Sequence, residues 1–134
     1  MDYLKELCED LNLESNLKKS ELGFYLLPLT DSLALEVKPL EPGVFFTSPI
    51  CPCPEIKREE LFIQLMKANL FDQGTMGATI SLKDEENLLT LSRSMPYDMN
   101  YGVFKDALED FANIVEYWRE EVERHIEMSE GGIL

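Results

Sequence analysis

Positive charge is scarce in this chain. Twelve lysines and arginines face 26 aspartates and glutamates, a formal net charge of −14 over 134 residues. A phosphate backbone would be repelled wherever that excess sits, which argues against direct nucleic-acid binding and favours basic or apolar partners. There is one histidine, His125. Three cysteines, Cys8, Cys51 and Cys53, make no even disulfide framework, so free thiols in a reducing compartment are expected. No stretch approaches the roughly 20 consecutive apolar residues of a membrane span. The opening MDYLKELCED lacks the basic start and apolar run of a secretory signal. A protein of the cytoplasm, without membrane insertion, is the expectation.

What is present suits one small domain, 1–134, with a single core, since 45% of the residues are hydrophobic. Leu4, Leu7, Cys8 and Leu11 recur at helical spacing and predict a short helix over Asp2 to Leu13. GFYLLPL, SLALEVK and GVFFTSP read as three short strands separated by Thr30-Asp31 and by Pro39 to Gly43, an antiparallel meander. Pro28 falls inside the first of them. Because proline donates nothing to a ladder, that strand is expected at an edge or a bulge. TSPICPCPE, with three prolines in nine residues, reads as a loop. A helix follows over Glu55 to Phe71. GATISL and LLTLSRSM predict a hairpin turning at Lys83 to Asn87. In the last helix Phe104, Leu108, Phe111, Val115, Trp118 and Val122 form one apolar stripe, and the chain frays into an acidic tail over 128–134. The order is α-β-β-β-α-β-β-α, an α+β fold with an antiparallel, twisted sheet packed with helices.

The chemistry-bearing residues do not converge. Cys51-Pro52-Cys53 invites a metal, but zinc wants four ligands and the one histidine is far along the chain, so a stiff connector with incidental thiols is the simpler reading. His125, beside Arg124 near the end of the last helix, is accounted for as a favourable cation at a helix C-terminus. The acidic pairs fall on solvated helix faces and turns. Gly74 and Gly77 follow a helix and precede no lysine, unlike a phosphate loop. No catalytic residue, metal or cofactor is assigned, and an enzyme is not expected. What survives is apolar excess: the helix over 55–71 carries more apolar positions than one core-facing stripe needs, and exposed strand positions such as Phe45 and Phe46 add to it.

The runs LFIQLMKANLFDQGTMGATISL, LLTLSRSMPYDMN and LEDFANIVEYWREEV carry a family resemblance. Ala68-Asn69-Leu70 ends a helix, Gly74 and Gly77 open a strand, Met95-Pro96 closes the next, and Phe111, Tyr117 and Trp118-Arg119 mark the last helix. In order and spacing over about Glu60 to Val122 this resembles the Tir chaperone (CesT) family, the class I chaperones of type III secretion; TSPICPCPE departs from the plain connection expected there.

The resemblance implies a bacterial cytoplasmic chaperone that binds the N-terminal, non-globular segment of a secreted effector through apolar pockets and strand addition, without ATP. It implies a homodimer, or a heterodimer with a second class I chaperone as among some chlamydial members. The candidate dimer residues are Leu61, Phe62, Leu65, Met66, Ala68, Asn69 and Leu70. The candidate effector-binding residues are Leu4, Leu7, Leu11, Phe24, Leu26, Leu35, Phe45 and Phe46. The charge of −14 motivates an alternative: an acidic regulator that binds RNA polymerase or its sigma factor, alone or beside chaperoning.

Overall fold

Alternation along the strands decides which side of the sheet is core. In β2 (Leu33–Pro39) Leu33, Leu35 and Val37 are buried, while Glu36 and Lys38 are exposed. In β3 (Val44–Pro52) Val44, Phe46, Ser48 and Ile50 are buried. Together with β1 (Tyr25–Thr30), β4 (Thr79–Lys83) and β5 (Leu88–Met95) these form an antiparallel five-stranded sheet of order β1-β2-β3-β5-β4. Helix α1 (Arg58–Phe71) joins β3 to β4, and α2 (Tyr101–Glu130) follows β5. The computed structural model describes residues 23–30, 33–71, 75, 77–83, 85 and 87–130. The helix expected over Asp2–Leu13, with Leu4, Leu7 and Leu11, lies outside them, as does Gly74. The described elements follow the remaining predicted order, and the fold is α+β.

One face of the sheet is covered by α2. Asn100 caps that helix, its Oδ1 accepting from the Val103 N–H at 2.9 Å. The stripe Phe104, Leu108, Phe111, Val115, Trp118 and Val122 is buried as expected. Phe46 meets Phe104 and Phe111 at ring-centroid distances of 5.9 and 5.8 Å. Each such side chain contributes about 1.5–3 kcal/mol by leaving water.

Three boundaries differ from the expectations. Strand β3 runs on through Pro52, so the first part of TSPICPCPE is strand and not loop. The reason is directional. Pairing of β3 with β2 ends at Thr47, whereas pairing with β5 continues through Pro49–Thr90 and, past a bulge, Cys51–Leu89 and Pro52–Leu88. Backbone N–H groups alternate sides along a strand. Pro49 has the parity of Thr47, so its missing donor faces the flank where no ladder remains. Next, α1 begins at Arg58, not Glu55, because Lys57 takes a left-handed φ of 47°. Finally, α2 stays helical to Glu130, so His125 is not at a frayed end and Met128–Glu130 are not tail.

The backbone at the end of β5, Met95-Pro96, lies so close to the β2–β3 turn that only glycine fits at position 43. The φ of Gly43 is +104°, and a Cβ there would overlap the Met95 carbonyl oxygen and stand 2.9 Å from Pro96 Cα.

Candidate functional site

Four side chains hold the proline-rich connection between β3 and α1. Arg119 of α2 donates from Nε to the Ile50 carbonyl at 2.8 Å and from a terminal nitrogen to the Pro49 carbonyl at 3.2 Å, so it serves acceptors left where the β2 ladder ends and β3 bulges. Arg58 donates to the Pro54 and Cys53 carbonyls and to Asn87 Oδ1, and Asn87 Nδ2 donates to the same Cys53 carbonyl. His125 Nε2 lies 2.9 Å from the Ile56 carbonyl, so the histidine clips α2 to this connection. Its role is therefore a tertiary contact and not the helix-end cation expected.

The thiols sit inside this clip. Burial, then the neighbouring Cys53, and then Glu123 push the Cys51 thiol up to about 11 against the opposing pull of Arg119. Burial also raises Cys53, against Arg58. Both are protonated at neutral pH, which makes them poor nucleophiles and poor ligands. Among the described residues, no group of three or more His, Cys, Asp or Glu side chains could hold a metal ion, and no helix is long and apolar enough to cross a membrane.

The two edges of the sheet are treated differently. At β4, the side chain of Asn69 donates to the Ile80 carbonyl and accepts from the Ile80 N–H, both at 2.8 Å. The amide imitates a neighbouring strand at Ile80 and occupies the edge there, which gives Ala68-Asn69-Leu70 its structural meaning. At the other edge, β1 pairs with β2 alone, and no described strand flanks it.

Next to the open edge lies the outer sheet face, opposite α2. Cross-strand partners share a face, so Leu26 and Glu36, Lys38 and Phe45, and Thr47 and Ser92 all point outward. Leu26 is 56% exposed. The Phe24 and Phe45 rings meet edge-on at 6.2 Å, and Lys38 Nζ lies 5.6 Å from the Phe24 centroid. Hydroxyl pairs Thr47–Ser92 and Ser81–Thr90 continue toward β4. Of the strand positions singled out in the sequence, the structure brings Phe24, Leu26 and Phe45 together here. Leu35 and Phe46 are fully buried on the opposite face, one residue out of phase, and are core.

Helix α1 carries apolar residues on two sides. Leu61, Leu65 and Ala68 are buried in the chain's own core, so they have no area left to give a second subunit. Asn69 is engaged at β4. Phe62 is half-buried with Arg58 over its ring. Met66 and Leu70 are exposed, and so are Ile63 and Phe71, which were not among the candidate dimer residues. Ile63, Met66 and Leu70 fall at i, i+3 and i+7, a stripe opposite Leu61, Leu65 and Ala68 at i, i+4 and i+7. That second stripe was the available signal.

Comparison with known proteins fits this geometry. Residues 2–119 match the Tir chaperone protein (CesT) family. A Chlamydia pneumoniae protein, CPj0713/CpB0740, is 25% identical over 117 residues, covering 86% of this chain and 89% of that protein. The fold is similar to a chain of the HopA1-SchA chaperone-effector complex, with TM-score 0.69, 15% identity, and 89% and 91% of the two chains covered. It is also similar to a chain of the ExsC-ExsE complex, with TM-score 0.73, 15% identity, and 89% and 90% covered. With the family matched from residue 2 to residue 119, the chain belongs to the Tir chaperone protein (CesT) family.

Proposed function

We propose that this chain is a class I type III secretion chaperone of the bacterial cytoplasm. It dimerises and keeps the N-terminal, non-globular segment of a secreted effector soluble and competent for secretion. The family match over 2–119 carries the reading, and the likeness to a chaperone-effector complex supports it. The surfaces are suited to the task. The dimer contact is the exposed stripe of α1, Ile63, Met66 and Leu70 with Phe71 and Phe62 beside it, and the same stripe serves a second copy or a second class I chaperone. The effector segment lies along β1 and over Leu26, Phe24 and Phe45, where burial of its apolar groups at about 25 cal/mol per Å² offsets the entropy lost on ordering. The net charge of −14 keeps the complex soluble and draws basic stretches of the effector.

The test is capture of the tagged protein from its native host with crosslinking and mass spectrometry. Recovery of a secreted protein, with two chaperone-sized chains per complex, is the expected outcome. Recovery of RNA polymerase or sigma factor without any secreted protein would replace this reading with the acidic-regulator one.

A further inference from the structure

The direction in which each backbone group of β1 points can be read from its neighbours. Ser48 Oγ on β3 lies 3.4 Å from the Ala34 carbonyl and 3.3 Å from the Pro49 carbonyl, within reach of either, and the Leu40 N–H to Gly43 carbonyl bond at the β2–β3 turn sets the same parity along β2. The Ala34 carbonyl therefore faces β3 and away from β1. Ala34 is the partner of Pro28, so the Pro28–Ala34 pair is the kind that exchanges no hydrogen bonds, and the Pro28 nitrogen and carbonyl face the edge that no described strand flanks. Leu26 has the same parity and faces the same way. Tyr25 and Leu27 face β2. A proline costs the ladder nothing in this position, but it changes what the edge offers. Leu26 presents both an N–H and a C=O. Two residues on, Pro28 presents a C=O and a ring methylene where the donor would be, and the register shifts between Pro28 and Thr30. At the opposite edge Ile80, which like Leu82 faces outward by the same count, is taken by Asn69.

We infer that Pro28 is a register stop: an extended peptide added to β1 pairs through the Leu26 peptide group and cannot extend its ladder past Pro28. The partner segment is therefore a short strand whose apolar side chain sits beside Leu26 on the outer face, with Glu36 next to it. The inference rests on the chaperone reading for its biological partner, and on geometry alone for the pairing.

The experiment uses displayed random ten-residue peptides, selected in parallel on the full chain and on Pro28→Val, with Pro28→Thr as a second variant. The tightest peptide from each selection is resynthesised with a single N-methyl group at each amide in turn. On the wild type, methylation of the amide opposite Leu26 weakens binding about tenfold, the loss of one hydrogen bond, while methylation opposite position 28 changes it less than about twofold, because the ring methylene holds the peptide too far off for its N–H to reach the Pro28 carbonyl. On the variants the second position becomes sensitive as well. Equal sensitivity at both positions on the wild type, an unchanged profile in both variants, or no peptide selected by any of the three proteins overturns the register stop. Capture of a secreted protein alongside such a negative result leaves the chaperone reading standing. A positive profile without any captured secreted protein does the reverse.

Discussion

Removing the Asn69 amide tests whether one side chain occupies the β4 edge at Ile80. Asn69→Ala deletes two hydrogen bonds of 2.8 Å and leaves the Ile80 N–H and C=O facing outward with no strand to take them. Each such bond contributes a net of about 0.5–1.5 kcal/mol. Asn69 is itself exposed, so water partly replaces it and the low half of the range applies: a loss of about 1–2 kcal/mol. Asn69→Asp keeps the acceptor for the Ile80 N–H and loses the donor, so it should fall about midway between wild type and Asn69→Ala. Denaturant unfolding at fixed protein concentration reads the change in midpoint at constant slope. Amide exchange reads Ile80 directly, which should lose protection in Asn69→Ala while Ser81, facing β5, keeps it. Stability within about 0.3 kcal/mol of wild type together with a protected Ile80 amide would refute the clamp.

Gly43→Ala meets both a φ of +104° and overlap with the Met95 carbonyl, so a loss of roughly 3 kcal/mol or more is expected and would show as a collapsed soluble yield or a large midpoint shift. Arg119→Ala takes the Arg119 donors from the Ile50 and Pro49 carbonyls, leaving Pro49 only the 3.3 Å contact of Ser48 Oγ; about 1–3 kcal/mol should be lost, and Arg119→Lys should not restore it because one ammonium cannot reproduce the two-pronged contact. Cys51 has its pKa raised from 9.0 to about 11, chiefly by burial and then by Cys53, so in a Cys8→Ser, Cys53→Ser background, where burial still acts and the Cys53 contribution is gone, thiol labelling at pH 8 should run slower than for a free thiol, by less than the roughly hundredfold of the full shift. Linkage gives the sign for stability: the raised thiol contributes fully below pH 9, and that contribution is lost as pH climbs through about 11. Met66→Glu with Leu70→Glu should separate subunits in sedimentation without lowering the monomer's secondary structure, whereas Leu65→Ala should unfold it by about 2–4 kcal/mol.

Period-two and period-3.6 patterns made the strands and the α2 stripe legible, because each of those elements has one wet side and one dry side. They could not orient α1. Two apolar stripes lie on opposite sides of it, and only the position of β4 decides that Leu61, Leu65 and Ala68 go inward while Ile63, Met66 and Leu70 stay out. Phe45 and Phe46 illustrate the same limit at finer scale. Adjacent and chemically alike, they are separated by the pleat into an outer-face residue and a fully buried core residue. The proline-rich run misled for a different reason. Proline opposes a strand only where a ladder needs its N–H, and at Pro49 the β2 ladder has already ended. The roles of Arg119 and His125 were unreadable locally because their acceptors are backbone carbonyls distant in sequence, and that of Arg58 because its near acceptors, the Cys53 and Pro54 carbonyls, come within reach only through the irregular path of the connection.

A fold by itself does not fix a function, so the decisive measurement is on the assembled complex. Hydrogen exchange of the complex captured from the native host should show new protection at Leu26 and its neighbours in β1 and across the outer face at Phe45. It should also show a partner whose own bound segment is extended, with protected amides only where it meets the sheet edge. Protection confined to the acidic outer side of α2, or a partner that remains a folded globular domain when bound, would contradict the account.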